Sequence, residues 1–299
     1  IEAPYAAMPH QLWRVTDAGG GTILLQNEWS RHVLDVQSTS AGDRLVQRIW
    51  TASATQKWRI VHVTHYPKKG LAGWEGFTSR FRGHWNYNWG QGSGKSFGKD
   101  INFAPMVWGN YGWGGLRSKK AKWQRASKQT FLMGFNEPDK RDQANFSVAK
   151  GLELWPRLER SHLPLVSPAP ANPYSWLSSF MPSAAKRGYR VDYVGVHWYA
   201  APNADSFMGW LWGLNQRYKR PLWITEFSCV DWSGNGNWDW LDNYTFFAEI
   251  LHRFEQASYI RRYSVFLFTG SYRSKRSNIF ANGQRDLTPI WRLYAAWDG

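Results

Sequence analysis

Residues 131–139 read Phe-Leu-Met-Gly-Phe-Asn-Glu-Pro-Asp, an apolar run followed by polar side chains on both sides of Pro138. The apolar part has the length and composition of a buried β-strand, and Pro138 cannot donate a hydrogen bond that would extend its ladder. A carboxylate at the end of a buried strand is costly unless it is paired or used in chemistry. Glu137 is therefore the first candidate functional residue.

A second stretch has the same arrangement. Residues 221–227 read Pro-Leu-Trp-Ile-Thr-Glu-Phe, an apolar strand that ends at Glu226. Short apolar segments alternate with polar or amphipathic ones around both stretches, which is typical of parallel β/α units. Two carboxylates at strand ends of one parallel barrel are the side chains that a retaining glycosidase requires.

Eight apolar segments predict a (β/α)8 TIM barrel over residues 66–299, a length within the range of that fold. The predicted strands are 70–73, 84–89, 102–108, 131–136, 163–167, 193–199, 222–226 and 263–268. The main predicted helices are 147–160, 175–187, 206–218 and 240–255, the last with apolar residues at helical spacing. On this count Glu137 ends the fourth strand and Glu226 ends the seventh.

Residues 1–63 have a different pattern. The sequence Gln-x-Trp-Arg-aliphatic at Gln11 recurs at Gln56, with Leu-Asp-Val at 34–36 between them. This pattern resembles the repeat of ricin-type β-trefoil lectins, but it covers only one repeat and the tail of another. A trefoil needs three repeats, because one repeat cannot bury its apolar face alone. We therefore expect a small all-β appendage to the barrel with a structural role.

The amino-acid composition limits the kinds of ligand that the protein is expected to bind. The 21 tryptophans exceed what a core of this size needs, and flat aromatic faces stack on sugar rings, which suggests a carbohydrate cleft. The net charge of +15 raises the question of polyanions, yet the basic residues are scattered. Their densest clusters, 117–122 and 273–276, belong to no nucleic-acid-binding motif. We expect a soluble basic surface and no nucleic-acid partner.

The cysteine content and the length of the apolar runs exclude disulfide-stabilised, zinc-binding and membrane-spanning proteins. Cys229 is the only cysteine, so an internal disulfide is impossible, and no Cys/His spacing suggests zinc. The apolar runs are of strand length, so no transmembrane helix and no membrane partner are expected.

Several segments together follow the order of one family. They are Lys68-Lys-Gly-Leu-Ala72, Trp85-Asn-Tyr-Asn-Trp89, Pro105-Met-Val-Trp108-Gly, Gly134-Phe-Asn-Glu-Pro138, His197-Trp-Tyr199, Trp223-Ile-Thr-Glu226-Phe and Leu287-Thr-Pro. They resemble glycoside hydrolase family 128, whose members act on β-1,3-glucans, over essentially all of 66–299. The resemblance implies a retaining endo-β-1,3-glucanase with Glu137 as acid/base and Glu226 as nucleophile. It also implies a β-1,3-glucan substrate, no metal and no cofactor, and we expect a secreted monomer.

The two roles place different demands on the carboxyl groups. Glu137 must be protonated when substrate arrives, and we expect apolar neighbours and the opposite carboxylate to raise its pKa. Glu226 must be ionised and needs hydrogen-bond donors, of which Tyr199 is the preferred candidate. His197 shares a strand face with Tyr199, and a site role and a role as a core histidine are equally favoured. Asn136 resembles the asparagine that binds the sugar 2-hydroxyl in the wider glycosidase clan.

Further substrate-binding candidates lie at or beside strand ends: Asn88, Trp89, Trp108 and Trp198. Trp89 and Trp108 are favoured as sugar platforms over Trp198, because His197 and Tyr199 on either side of Trp198 more plausibly point inward. The Gly-rich loop 228–240, which contains Trp232, is either a substrate wall or a flexible lid.

Two other functions stay open at this point. One is a β-glycanase with a different linkage specificity, since the fold does not fix the substrate. The other is a noncatalytic β-glucan-binding protein, which the presence of both glutamates disfavours.

The N-terminal segment carries no predicted catalytic residue. We therefore predict that removal of residues 1–63 leaves the cleavage of short soluble oligosaccharides unchanged. The measurement is the rate of oligosaccharide hydrolysis by the truncated and the complete chain, with circular dichroism to show that both are folded. A folded truncation without activity would contradict this prediction.

Overall fold

The computed structural model describes residues 10, 12–37, 44–59, 67–93, 101–111, 113, 131–235, 237–268, 277, 280–281 and 286–298. The chain forms two compact units, residues 1–66 and 67–299. Both basic clusters, 117–122 and 273–276, lie outside the described residues, as does Gln11. In the part of the chain that is described, no helix combines the length and apolar character needed to cross a membrane.

The N-terminal unit is an antiparallel sheet of four strands in the order β1-β2-β3-β4. Its strands are β1 (Trp13–Gly19), β2 (Thr22–Asn27), β3 (Val33–Val36) and β4 (Leu45–Arg48). Gln56 is buried and donates from Nε2 to Asp35 Oδ2 at 3.1 Å and to the Ile49 carbonyl at 2.9 Å. The indole of Trp58 donates to the Leu34 carbonyl at 3.1 Å. The Gln-x-Trp and Leu-Asp-Val sequences therefore act together as the internal hydrogen-bond framework of this unit.

The second unit is a mixed α/β structure built on parallel strands. These are β5 (Lys69–Ala72), β6 (Trp85–Tyr87), β7 (Asn102–Phe103), β8 (Leu132–Met133), β9 (Leu165–Val166), β10 (Val194–Ala200), β11 (Leu222–Cys229) and β12 (Ile260–Phe266). The ladders join β10-β11-β12-β5-β6-β7 in one sheet and β8-β9 in a second. Single parallel bridges also join Met106 to Met133 and Val166 to Tyr193. Each of the eight predicted strand segments overlaps one of these strands.

Helices follow β8, β9, β10 and β11, as the predicted alternation requires. They are α1 (Val148–Glu159), α2 (Trp176–Lys186), α3 (Ala204–Tyr218) and α4 (Trp240–Gln256), and a fifth helix, α5 (Pro289–Ala296), follows the short strands β13 (Phe280–Ala281) and β14 (Asp286–Leu287). Side-chain caps define several starts: Ser147 accepts from the Lys150 amide, and Asp239 forms a capping box with Asp242. The sequence located α1 to α4 to within two residues at each end and did not predict α5.

Two apolar clusters fill the second unit. The larger lies between the helices and the sheet, and the smaller packs residues of several strands together, among them Trp85, Phe131 and Trp223. Arg262 is buried with this smaller cluster, and its guanidinium lies 4.8–5.4 Å from those three ring centroids. These cation–π contacts compensate part of the cost of burying the charge.

Two adjacent lysines at the start of β5 hold the ends of two helices. Lys68 Nζ donates to three carbonyl oxygens at the end of α4, those of Phe254, Glu255 and Ala257, at 2.8–2.9 Å. Lys69 Nζ donates at 2.5 Å to the carbonyls of Tyr294 and Trp297 at the end of α5. Carbonyls at a helix C-terminus lack partners within the helix, so the Lys-Lys-Gly sequence connects β5 to two helices.

The burial of Lys69 generates a prediction. Burial lowers the pKa of Lys69 to about 7, so between that pH and the ordinary lysine value near 10.4 the unfolded chain binds the additional proton. The free energy of unfolding therefore rises with pH in this range, by up to about 1.4 kcal/mol per pH unit.

The substitution Lys69→Met should remove this contribution to the slope of the free energy of unfolding against pH. Lys186→Met, on the exposed end of α2, should leave that slope unchanged. Urea unfolding at several pH values between about 7 and 10 measures both. Equal slopes for the wild type and Lys69→Met would contradict the prediction.

Candidate active site

Glu137 follows β8 in a backbone turn. Its amide donates to the Ala169 carbonyl at 2.9 Å, and its φ of 37° lies in the left-handed region that non-glycine residues rarely adopt. Asp139 accepts from the amides of Ala171 and Asn172, both at 2.8 Å. The Asn-Glu-Pro-Asp sequence therefore ties the loop after β8 to the loop after β9, and the glutamate lies between these attachments.

Glu226 lies within β11, directly beside His197 of β10 in the strand register. The sequence predicted that this strand ends at Glu226, whereas the structure continues it to Cys229. The reason is the pairing of the next residues with β10, in which Phe227, Ser228 and Cys229 are register partners of 198–200. All eight residues of β11 are buried, so the carboxylate requires polar partners in its immediate surroundings.

Three neutral donors supply those partners. Tyr199 Oη donates to Glu226 Oε2 at 2.5 Å, Tyr87 Oη to Oε1 at 2.9 Å, and the indole Nε1 of Trp89 to Oε1 at 2.8 Å. Burial and the charge of Glu226 raise the pKa of both tyrosines well above the usual value, so both hydroxyls stay protonated. The expected contact between Tyr199 and Glu226 is present.

His197 lies between the two glutamates. Its ring is 1% exposed, with Nδ1 at 2.9 Å from Glu137 Oε1 and Nε2 at 3.5 Å from Glu226 Oε1. Burial alone would lower the pKa of His197, but the negative charges of Glu226 and Glu137 outweigh burial and raise it. Of the two roles left open by the sequence, this geometry is that of a site residue.

Glu137 has different partners from Glu226. Burial alone would raise the pKa of Glu137, but the hydrogen bond and charge of His197, together with Lys140 Nζ at 3.6 Å from Oε2, hold it below the usual value. The expectation of a raised pKa is therefore wrong for this arrangement. The sequence argument considered the opposite carboxylate but not the histidine that separates the two.

An oxygen of Glu137, an oxygen of Glu226 and a nitrogen of His197 all lie within 4.8 Å of one another. This is the set of possible metal-binding side chains found among the described residues. Nδ1 of the imidazole hydrogen-bonds to Glu137, whereas Nε2 has no hydrogen-bond partner among the described residues, so a direct path for a proton joins His197 to Glu137.

A cleft of about 640 Å³ opens over the carboxylates. Its lining includes seven of the nine predicted site residues: Trp89, Trp108, Asn136, Glu137, His197, Tyr199 and Glu226. Asn136 Nδ2 donates to Gln143 Oε1 at 3.0 Å, and among the described residues its Oδ1 has no hydrogen-bond partner.

The structure does not bring Asn88 and Trp198 to the lining of this cleft. Asn88 donates to Glu75 Oε1 at 2.7 Å and to the Gly92 carbonyl at 2.9 Å, so it organises the loop after β6. Trp198 stacks on Phe207 and Phe246, with ring centroids 4.1 and 5.4 Å apart, in the layer between sheet and helices. The sequence predicted both as substrate-binding residues, and the structure places both side chains in structural contacts outside the lining of the cleft.

Several cleft residues were not among the predicted site residues. They are Lys140, Gln143, Ala171, Val230, Trp232, Phe266 and Phe268, together with Tyr87 beneath Glu226. Tyr87 could have been found, because it is two residues before Trp89 and residues at that spacing share one face of a strand. Trp232 is 58% exposed and its indole donates to the Tyr199 carbonyl at 2.7 Å, so one edge is anchored in the cleft wall.

Comparison with known proteins gives two family matches. Residues 70–294 match the glycosyl hydrolase catalytic core, and residues 9–67 match the ricin-type beta-trefoil lectin domain-like family. The chain is also 30% identical over 159 residues to alkali-sensitive linkage protein 1 of Schizosaccharomyces pombe, a match that covers 50% of this chain and 28% of that protein.

Solved structures of glycoside hydrolase family 128 are similar to the chain. An endo-β-1,3-glucanase of subgroup I from Amycolatopsis mediterranei, solved with laminaritriose and laminaribiose, is 28% identical, with a TM-score of 0.64 over 77% of this chain and 99% of that one. A curdlan-specific exo-β-1,3-glucanase of subgroup III from Blastomyces gilchristii, solved with glucose, is 26% identical, with a TM-score of 0.61 over 77% and 98%.

The contrast between two tryptophans generates a prediction. Trp198→Ala should lower the free energy of unfolding by about 3–5 kcal/mol, because it empties a stacked core position. Trp232→Ala should lower it by about 1 kcal/mol or less, because it removes an exposed ring and one hydrogen bond. Urea unfolding measures both. A Trp198→Ala variant that kept its free energy of unfolding but lost oligosaccharide binding would show instead that Trp198 contacts substrate.

Proposed function

The chain belongs to the glycosyl hydrolase catalytic core family, and from this premise we propose that it is an endo-β-1,3-glucanase that cleaves with retention of configuration. Glu137 is the acid/base and Glu226 is the nucleophile. The observation that carries the proposal is the pair of buried carboxylates, with oxygens within 4.8 Å, beneath an open cleft. Retaining enzymes place their carboxyl groups about 5–5.5 Å apart, whereas inverting enzymes need roughly 6.5–9.5 Å to admit a water.

The difference between the partners of the two glutamates supports this assignment of roles. Tyr87, Trp89 and Tyr199 direct three neutral donors at Glu226, so the buried carboxylate that we propose as the nucleophile has hydrogen-bond partners on both oxygens. Glu137 contacts His197, a group that can gain and lose a proton near neutral pH. An ionised nucleophile opposite a carboxyl group that exchanges protons is the arrangement that double displacement requires.

We also infer that the parallel strands form a closed (β/α)8 barrel. The sheet β10-β11-β12-β5-β6-β7 has β7 and β10 at its edges. The bridge from Met106 to Met133 connects the segment after β7 to β8, and the bridge from Val166 to Tyr193 connects β9 to the start of β10. With β8 and β9 paired, every strand then has two neighbours, and the site lies at the carboxyl ends of the strands, where such barrels carry out catalysis.

The proposed substrate is inferred from the structurally similar enzymes. The structurally similar enzymes from Amycolatopsis and Blastomyces are described as β-1,3-glucanases, and the former was solved with laminari-oligosaccharides. In this chain Trp108 and Trp232 are the candidate sugar platforms, since both line the cleft and Trp232 exposes most of its ring. We propose that a secreted monomer acts on this neutral polymer.

Replacing the catalytic glutamates gives the direct test. Glu226→Gln should abolish turnover of laminarin and leave oligosaccharide binding largely intact, because the amide keeps the shape but not the nucleophile. Product analysis by proton NMR on the wild type should show the β-anomer first. Glu249→Gln, on the exposed side of α4, is the matched control and should keep full activity.

A panel of β-1,3-, β-1,4- and mixed-linkage glucans distinguishes the proposal from a β-glycanase of other specificity and from a noncatalytic binding protein. Initial release of the α-anomer would contradict the retaining mechanism. A Glu226→Gln variant that kept most of its rate would contradict the assignment of the nucleophile.

If the protein binds a neutral sugar by stacking, its binding affinity should depend little on salt concentration. Trp108→Ala should weaken oligosaccharide binding, and wild-type binding should change little between low and high salt, because no charge on the ligand is screened. Trp89→Ala should also lower kcat, since the Trp89 indole donates to Glu226. Isothermal titration at two salt concentrations measures binding. Steep salt dependence with no effect of Trp108→Ala would show that charge, not stacking, drives recognition.

A further inference from the structure

The proposed acid/base requires a proton that its surroundings disfavour. In the free protein the His197 hydrogen bond and the nearby Lys140 hold the pKa of Glu137 below its usual value. A general acid must nevertheless donate a proton when the glycosidic bond breaks. A group that carries a proton and contacts Glu137 is therefore a candidate source of this proton.

His197 is in position to provide it. Nδ1 of the buried ring lies 2.9 Å from Glu137 Oε1, a distance at which a proton can pass directly between the two atoms. Nε2 lies 3.5 Å from Glu226 Oε1. This second nitrogen forms no hydrogen bond among the described residues, but the charge of a doubly protonated imidazole would lie close to both carboxylates and reduce the repulsion between them.

We propose, on the basis of the proposed function, that His197 and Glu137 hold the catalytic proton in common, with His197 as an imidazolium ion in the free enzyme. The pairs His197⁺/Glu137⁻ and His197⁰/Glu137–H contain the same number of protons. Transfer breaks the Nδ1–H bond and forms an O–H bond on Glu137, while the electron pair stays on the imidazole. His197 acts through Glu137 and does not contact substrate in this scheme.

The proton count balances over both displacement steps. In glycosylation the Glu137 proton goes to the leaving oxygen, the glycosidic C–O bond breaks, and Glu226 forms a C–O bond to the sugar. Glu137 is then anionic and His197 neutral. In deglycosylation Glu137 takes a proton from the attacking water, the oxygen of which replaces Glu226 at the anomeric carbon. The returned proton is again shared with His197.

The charge on Glu226 controls the charge on His197. The acidic groups that act on the ring are Glu226 on β11 and Glu137 and Asp139 in the loop after β8, and all three raise the pKa of His197 against the effect of burial. The positive charge of Lys140, 3.6 Å from Glu137 Oε2, opposes them, and Tyr87 and Tyr199 around Glu226 stay neutral. When Glu226 becomes an ester it loses its charge, so the pKa of His197 falls at the stage where Glu137 must act as a base.

Nitrogen NMR of 15N-histidine-labelled protein tests this charge state directly. At about pH 6.5, where an unperturbed histidine is half protonated, the wild type should show His197 with both nitrogens protonated. His197→Gln assigns the signals, and His252→Gln on the exposed face of α4 is the matched control. Glu226→Gln should shift the titration midpoint of His197 to lower pH, as should trapping of the wild type with a 2-deoxy-2-fluoro laminaribioside.

The hydrolysis rates of two substrates with different leaving groups give a second test of the shared proton. In His197→Gln the amide can still donate to Glu137 but cannot supply a proton. Hydrolysis of laminarin, which needs acid assistance, should fall by about 10²-fold or more. Hydrolysis of a dinitrophenyl laminaribioside, which does not need it, should fall by less than about 10-fold.

The outcomes separate the inference from the proposed function. A neutral His197 in the wild type at this pH, unchanged by Glu226→Gln, overturns the shared proton even if laminarin is hydrolysed. Equal losses on both substrates with a folded His197→Gln variant also overturn it. If no glucan is hydrolysed and no ester is trapped, the proposed function fails. The comparison of the wild type with Glu226→Gln then still decides whether the negative charge of Glu226 keeps His197 protonated.

Discussion

Two buried carboxylates within 4.8 Å of each other repel, and the rest of the site depends on how that repulsion is balanced. The imidazole of His197 lies between them, and three neutral donors surround Glu226. The two carboxylates are therefore not equivalent. Glu226 is held by groups that do not exchange protons near neutral pH, whereas Glu137 contacts one that does, and this difference creates separate roles for two chemically identical side chains.

The backbone restricts where these groups can lie. His197 and Glu226 are register partners on β10 and β11, so their relative position follows from the strand pairing. Glu137 has no such pairing within a strand, since β8 ends at Met133. Its left-handed backbone is held instead by the Ala169 carbonyl, and Asp139 binds the next loop. The position of Glu137 thus depends on a fixed turn, and the position of Glu226 depends on the pairing of two strands.

The sequence predicted the order of the strands and helices and both glutamates, because hydrophobic periodicity and strand-end polarity are local properties. The alternation of side chains along a strand also explains the position of Trp198, which lies in β10 on the opposite face from His197 and Tyr199. Asn88 follows the last residue of β6, so its position depends on the loop and not on this alternation. The lowered pKa of Glu137 could not be predicted, since it depends on a histidine 60 residues away whose position only the strand pairing defines.

An excess of tryptophan in the composition does not identify sugar platforms, because aromatic rings serve the site in another way. The rings of Trp85, Tyr87 and Trp89 contact one another in succession, with ring centroids 6.0 and 5.3 Å apart. Trp85 contacts the buried Trp223 and lies over the Arg262 charge, while the polar ends of Tyr87 and Trp89 reach Glu226. Packed aromatic rings have few alternative rotamers. The apolar cluster within the sheet therefore fixes the donors, and the donors fix the position of the Glu226 carboxylate.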